Sequence, residues 1–411
     1  MISLGLTHSL AQLSAANRLQ TTALLSDVEI DRAPGHRGTH LRAGTTGDRP
    51  PRYRWTNWRW WLGLNPSFPT TTAPRTVAVI IPAHNEEACI AETIKSVLAQ
   101  TAAIEQVIVV DDASTDRTGE IASQFPEVEL VRPTVNQGSK PRAQNYALKF
   151  VRADLFVTID ADTLLAPDAI EQLLPYFSDP KTGAVCGFVI PQRVNTLFER
   201  GRFIEYLFGC TLSKGAQNQV GAVVVASGCF AAYPTELVLG QGGFPPGTMA
   251  EDMDLTWRLA KKGYEVYFHD TAYCYPIDPP NLKIFVAQVD RWYRGVLQNL
   301  STHSFRGRLR LGLFVYWYMF DALLTPLILF FAVYAYTGDV ALPLAVMLLH
   351  DLAIVAPPAF FKAASIGRFW QAVVSFPAFL VLRPINKFIL WRAMWREWIK
   401  RDKLKHWVKG H

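Results

Sequence analysis

From Thr76 onward the chain alternates between two kinds of segment, and this alternation restricts its fold more than any other feature. VAVIIPAHNEE reads as a buried strand running into a polar loop, QVIVVDDAS as a second strand ending in acids, VELVRP as a third and LFVTIDAD as a fourth. Helical patterns over 88–100, 116–125 and 140–151 lie between them; in the first, Ile90, Ile94, Val97 and Leu98 recur on one side. Continuous apolar runs of strand length suit strands covered on both faces, and alternating helices supply the cover. The expected fold is an α/β domain with a mostly parallel sheet. Its ligand should lie at the carboxyl ends of the strands, where the polar residues collect.

Those strand ends carry a specific set of groups. Pro82, Ala83, Asn85 and Glu86 form the loop after the first strand, and Asp111 and Asp112 end the second. A carboxylate accepts hydrogen bonds from a uracil imide or a ribose hydroxyl but repels phosphate, so this acid pair suits the nucleoside end of a ligand. Asp160 and Asp162 close the fourth strand as an Asp-x-Asp. Hard carboxylate oxygens at that spacing suit Mg2+ or Mn2+, which fills its remaining positions with phosphate and water and neutralises a departing diphosphate. The same DADT also fits the nucleophile loop of a haloacid-dehalogenase-type phosphotransferase, but that loop ends a first strand and three strands precede this one. Glu251 and Asp252 open a helix containing Leu255, Trp257 and Leu259. One of these acids can simply serve the positive end of the helix; the other, Asp252, is the candidate base for an acceptor hydroxyl. Gln288, Arg291 and Trp292 are spaced i, i+3, i+4 on one helix face, with the arginine able to grip a diphosphate and the tryptophan to stack on a sugar ring. The lack of a G-x-G-x-x-G after the first strand argues against a nicotinamide enzyme.

Composition matters because of where the apolar residues lie. Half of the 411 residues are apolar or aromatic and 18% are charged, with the apolar excess after residue 310. Segments 311–336 and 340–361 are each long enough to span a hydrocarbon core of ~30 Å. Segment 369–391 is also apolar but contains Arg383, Pro384 and Lys387. RGRLR precedes the first segment, and the tail 392–411 holds seven Lys or Arg. Positive residues stay inside, so two crossings are expected, with 369–391 interfacial or re-entrant and the tail in the cytoplasm. The formal net charge of +6 sits beside apolar segments, which favours membrane lipids and gives no nucleic-acid signature. Residues 53–64, YRWTNWRWWLGL, carry four tryptophans and two arginines, suited to a water–lipid interface. The organisation expected is an N-terminal extension of disordered composition over 1–52, an interfacial segment 53–75, a catalytic domain 76–300, a membrane region 301–391 and the basic tail. The five cysteines include no C-x-x-C pair and read as reduced thiols of a cytoplasmic domain.

Together PAHNEE, VVDDASTD, NQGSKPRAQNYAL at 136–148, DAD, AEDMDLTWRL and QVDRWYRG resemble the membrane-embedded inverting glycosyltransferases of family 2, the group of cellulose, chitin, hyaluronan and poly-N-acetylglucosamine synthases. The resemblance covers about residues 76–300. It implies a GT-A fold followed by transmembrane helices, a UDP-sugar donor, Mg2+ or Mn2+ and inversion at the anomeric carbon. It further implies that Asp111 and Asp112 contact the nucleoside, and that Asp160 and Asp162 hold the diphosphate and metal. Lys140 matches a basic donor-site position, Asp252 the base, and Glu251, Gln288, Arg291 and Trp292 the acceptor and diphosphate side. The resemblance leaves the acceptor open between carbohydrate, lipid and protein: polymer synthases usually carry more spans, so transfer of one or a few sugars is the alternative, and a binding protein without catalysis a more distant one. The expected location is the cytoplasmic membrane, multi-pass, with the catalytic domain on the cytoplasmic side.

Overall fold

The structure, a computed structural model, describes residues 75–219, 221–304 and 309–402. The chain divides after Asp48 into two units, and every described residue belongs to the second. The extension expected over 1–52, all but Arg75 of the segment 53–75, and residues 403–411 of the tail lie outside the described residues.

Eight strands form one sheet, ordered β3-β2-β1-β4-β7-β6-β8-β5. They are β1 (Val77–Ala83), β2 (Gln106–Asp111), β3 (Val128–Val131), β4 (Leu155–Ile159), β5 (Thr163–Leu165), β6 (Thr182–Val189), β7 (Phe230–Pro234) and β8 (Glu265–Pro276). The β3-β2-β1-β4 half is parallel, as the alternation predicts. Beyond it β7 runs antiparallel between β4 and β6, β6 and β8 are parallel, and β5 is antiparallel to β8. The sheet is therefore mixed, with its parallel half carrying the polar loops. Every residue of β2, β4 and β6 is buried, which is why their sequences read as unbroken apolar runs rather than alternating ones.

The longer helices are α1 (Ile90–Leu98), α2 (Lys140–Leu148), α3 (Leu197–Phe208), α4 (Glu251–Lys261), α5 (Leu282–Thr302), α6 (Leu309–Leu323), α7 (Thr325–Thr337), α8 (Ala341–Ser365) and α9 (Phe369–Met394). In α1, Ile90, Ile94 and Val97 are buried, whereas Leu98 at the last turn is exposed, contrary to its expected place on the apolar face. A capping box starts α3: Glu199 N donates to Thr196 Oγ1 and the Glu199 carboxylate accepts from Thr196 N, satisfying two donors that the helix itself leaves free.

Segment 311–336 is not one helix: α6 ends at Leu323 and α7 begins at Thr325, with Pro326 in its first turn. Proline lacks an N–H to continue a helix but fits a first turn. Ala341–Ser365 and Phe369–Ile399 are the two described helical stretches long and apolar enough to cross a membrane. On α8, Leu342, Leu344, Leu348, Leu349, Leu352 and Ile354 are all exposed. Segment 369–391 lies within α9, which continues through Pro377 and Pro384, so it does not fold back as a re-entrant segment would. Arg383, whose charge argued against crossing, is ion-paired with Asp351 of α8, Nε to Oδ2 at 2.9 Å. One side of α9 packs on the α/β domain through Phe379, Leu382, Ile389 and Leu390, none more than 2% exposed. At about 1.5–3 kcal/mol per buried large side chain, those four supply a gross gain of about 6–12 kcal/mol, enough to seat this helix firmly.

Candidate active site

The carboxyl ends of β1, β2 and β4 converge with the first turns of α2 and α4, and this junction collects the residues picked out from the sequence. Pro82 and Ala83 end β1 in register with Val110 and Asp111. The next loop is locked to the one after β2. Asn85 adopts a left-handed φ of 56°, which asparagine tolerates better than most residues. Its N–H donates to Ser114 Oγ at 2.9 Å, and its Oδ1 accepts from Thr115 N at 2.8 Å. Glu86 is buried; its N–H donates to Thr118 Oγ1 at 2.7 Å, and its carboxylate accepts from Cys89 Sγ at 3.1 Å.

The two acids after β2 occupy different environments. Asp111 is fully buried, with Oδ1 accepting from Ser114 N at 2.9 Å and Oδ2 3.1 Å from Arg132 Nε. Gly119 closes over it: a Cβ there would meet Asp111 Oδ2 at 2.3 Å. The Asp111 side chain thus holds the loop from beneath. Asp112 Oδ1 accepts from Gln137 N at 2.7 Å, while its carbonyl oxygen lies 2.9 Å from both His84 Nδ1 and Asn136 Nδ2. Burial raises the Asp112 carboxyl above the usual value, against the Gln137 amide.

At the centre, the Lys140 ammonium forms an ion pair with Asp160, donates to Gly228 O at 3.0 Å and stands 3.8 Å from Glu251. Burial works against its charge, but Asp160 and Glu251 outweigh burial and hold it above the usual lysine value. Burial raises the Glu251 carboxyl, opposed by Lys140 and reinforced by Asp252. Gly228 ties the group together, because its N–H also donates to Asp252 Oδ2 at 2.8 Å. Asp252 Oδ1 accepts from Met253 N at 2.8 Å in the first turn of α4, where a negative charge is favoured by the helix dipole. Arg291, on α5, reaches Met249 O at 3.4 Å. Burial lowers its value, while Glu251, Asp160 and Asp252 pull the other way.

Asp160 and Asp162 flank a tight turn in which Thr163 N donates to Asp160 O at 3.1 Å. Asp162 Oδ1 accepts from Thr163 Oγ1 at 3.2 Å, and its carbonyl accepts from Ile277 N at 3.2 Å. Among the described residues no group of three or more His, Cys, Asp or Glu is arranged to hold a metal ion. Two hard carboxylates fit Mg2+ or Mn2+ only as an ion that completes its shell with phosphate and water.

Gln288 and Trp292 stand one turn apart on α5, and both touch a residue that the sequence reading passed over. Arg202 of α3 donates from Nη2 to Gln288 Oε1 at 3.1 Å, and its guanidinium lies 4.3 Å from the Trp292 ring centre. Asp278, after β8, is also new: it lies 3.6 Å from Arg202 Nε and accepts from Tyr206 Oη at 3.2 Å. Burial, against Arg202 and Tyr206, leaves its carboxyl pushed up to about 7. Nothing in the spacing of LFERGRFIEYLF marks Arg202 beyond an ordinary pairing with Glu205, because Asp278, Gln288 and Trp292 lie more than 70 residues away in the chain.

Residues 78–239 match the family described as Glycosyl transferase family 2. The chain is 29% identical over 225 residues to the poly-beta-1,6-N-acetyl-D-glucosamine synthase of Staphylococcus aureus, a match covering 53% of this chain and 54% of that protein. It is 32% identical over 236 residues to the hyaluronan synthase of Streptococcus pyogenes, covering 53% and 56% respectively. The chain thus spans about half the length of these curated relatives. Its fold is similar to that of a mannosyltransferase from Pyrobaculum calidifontis solved in complex with GDP-Man and Mn2+. That similarity has a TM-score of 0.55 at 24% identity and covers 76% of this chain and 92% of the other; at such identity it speaks for the GT-A-like fold alone. The phosphotransferase alternative fails here, since Asp160 ends the fourth strand of a domain matched over 78–239 to a different family.

Proposed function

We propose that this chain, whose residues 78–239 match the family described as Glycosyl transferase family 2, is a membrane-associated, inverting transferase that moves a sugar from a UDP-sugar to an acceptor hydroxyl. The observation that carries this reading is the cluster at Gly228, whose N–H donates to the Asp252 carboxylate and whose carbonyl oxygen accepts from the Lys140 ammonium. A base and a cation are thereby fixed beside one residue. Asp252 takes the proton as the acceptor oxygen attacks the anomeric carbon. The bond from that carbon to the diphosphate oxygen breaks on the other face, and UDP leaves with the electron pair. Lys140 and Arg291 lie where they can meet the charge of the leaving diphosphate, and Mg2+ or Mn2+ held by Asp160 and Asp162 would neutralise the rest. Asp112 and the 82–86 loop serve the nucleoside, with Asp111 fixing the loop from below. Glu251, Gln288 and Trp292 line the acceptor side.

UDP-N-acetylglucosamine is the first donor to test, because one relative is named for a poly-N-acetylglucosamine product. The similarity to two polysaccharide synthases favours a carbohydrate acceptor and a polymer product; transfer of single sugars to lipid or protein is what product-length analysis would show instead. In the membrane, the segment holding α6 and α7 crosses outward, α8 returns, and α9 lies along the interface, so the catalytic domain and C-terminus share the cytoplasmic side; a C-terminal reporter that reads as external would overturn this topology. The deciding experiment incubates the detergent-solubilised protein with a panel of UDP-sugars and Mn2+, then with chelator. Chelator-sensitive UDP release from one sugar is the expected result, and folded protein that neither binds UDP nor releases it from any sugar would overturn the reading.

A further inference from the structure

Arg202 is 5% exposed yet carries more polar and aromatic contacts than a side chain needs merely to be buried. Nη1 donates to Glu205 at 2.8 Å, Nη2 donates to Gln288 at 3.1 Å, and Nε lies 3.6 Å from Asp278. These partners come from α3 itself, from α5 and from the segment after β8, so the plane of the guanidinium is fixed from three directions. Its guanidinium carbon lies over the Trp292 ring, 4.3 Å from the ring centre, and the Phe285 and Tyr206 ring centres stand at 5.4 Å. Two carboxylates balance its single charge, which leaves little for a diphosphate. Trp292 and Gln288 share one face of α5, so one side chain holds both.

The seat under Arg202 is itself built by the C-terminal helix. Asn386 of α9 donates to Glu205, the carboxylate that holds Arg202. The neighbouring Gly201 faces Leu382 of α9 so closely that a Cβ would stand 2.2 Å from Leu382 Cδ1. A continuous set of contacts therefore runs from α9 through Glu205 and Arg202 to Gln288 and Trp292.

We propose that Arg202 is the positioning residue for the acceptor side of the site: it takes one face of the Trp292 indole, anchors Gln288, and is held in place by the docking of α9. The other face of the indole is then presented to a sugar in a fixed orientation relative to Asp252. Acceptor binding, and not donor binding, depends on this seat. The inference rests on the proposed roles of Gln288 and Trp292.

The test uses the full chain in detergent, with UDP-N-acetylglucosamine as donor probe and an N-acetylglucosamine oligosaccharide as acceptor probe. The tryptophans are replaced by 5-fluorotryptophan, and the Trp292 resonance is identified by its loss in Trp292→Phe. Arg202→Lys keeps the charge but not the planar fork. It should raise the acceptor KM about tenfold, leave the donor KM and Mn2+-dependent UDP binding unchanged, and shift the Trp292 resonance. Arg202→Met should do the same more strongly, and Asn386→Ala should shift the resonance in the same direction. If Arg202→Met does not fold, the lysine and alanine variants carry the test. An unchanged acceptor KM, or donor and acceptor constants rising together, would overturn the proposal. If the parent protein releases no UDP from any donor, the proposed function falls separately and the resonance alone decides: a shift in Arg202→Lys supports the positioning role, and an unmoved resonance refutes it.

Discussion

Replacing Gly201 with alanine should reverse the sign of its effect when Leu382 is shortened. Gly201 lies within α3, and a Cβ at that position would stand 2.2 Å from Leu382 Cδ1, 2.7 Å from Leu382 Cγ and 3.3 Å from Ala378 O. Carbon atoms pack at about 3.5–4.0 Å, so the closest approach is short by more than about 1 Å. Leu382 is fully buried and has no solvent to turn into, and the backbone of α9 stands behind it. Overpacking of this kind costs about 1–3 kcal/mol, and the size of the overlap puts it at the upper end. Against that, alanine improves on glycine in a helix interior by about 1 kcal/mol. The net loss in the parent background is therefore about 2 kcal/mol. Leu382→Ala alone should cost about 2–5 kcal/mol by leaving a cavity. In that background the clash is gone and only the helix gain remains, so Gly201→Ala should be neutral or stabilising by up to about 1 kcal/mol. Denaturation of the four proteins in the same detergent, at one scan rate because unfolding of such a chain need not be reversible, reads the cycle. Gly201→Ala destabilising both backgrounds equally would refute the docking of α9 on α3, and with it the route from the C-terminal helix to the acceptor side.

Three further outcomes bear on the site and its surroundings. Asp252→Asn should abolish transfer while leaving Mn2+-dependent UDP binding nearly intact, and lost UDP binding would remove Asp252 from the role of base. Asp162→Ala should weaken UDP binding in the presence of Mn2+ much more than in its absence; full activity of the parent protein in chelator would sink the metal assignment. Burial raises the Asp254 carboxyl, but hydrogen bonds from His303 and Arg258 outweigh it and hold the group below the usual carboxylate value. A depressed acid stabilises the fold above its unfolded value of about 4 and loses that contribution as pH falls through the folded value. Asp254→Asn should therefore cost on the order of 1–3 kcal/mol at neutral pH, with the gap to the parent closing in acid; a gap constant across that range refutes the pairing.

The alternation of β1, α1 and β2 was legible because continuous apolar strands and one-sided helices have different periods, and period is a local property. The same locality put Asp160, Asp162, Glu251, Asp252 and Arg291 on the page: each sits at the end of a strand, the start of a helix or on one helix face. The meeting of Asp252 and Lys140 at Gly228, and the burial of Asp111 under Gly119, depend on loops brought together from distant parts of the chain. The break at Leu324 lay within reach of Pro326, but hydropathy alone does not see it.

What the sequence determined by itself is the class of the protein: a parallel α/β half-sheet with acids at its carboxyl ends, joined to apolar helices, because both patterns are written in neighbouring residues. What only the tertiary structure decided is how those parts work on one another. The charge of Arg383 reads as an obstacle to the bilayer until Asp351 is found beside it. Arg202 reads as one more basic residue in a helix until Trp292, Gln288 and Asp278 close around it. The energy of a charge depends on what surrounds it, and those surroundings are set by contacts between residues far apart in the chain.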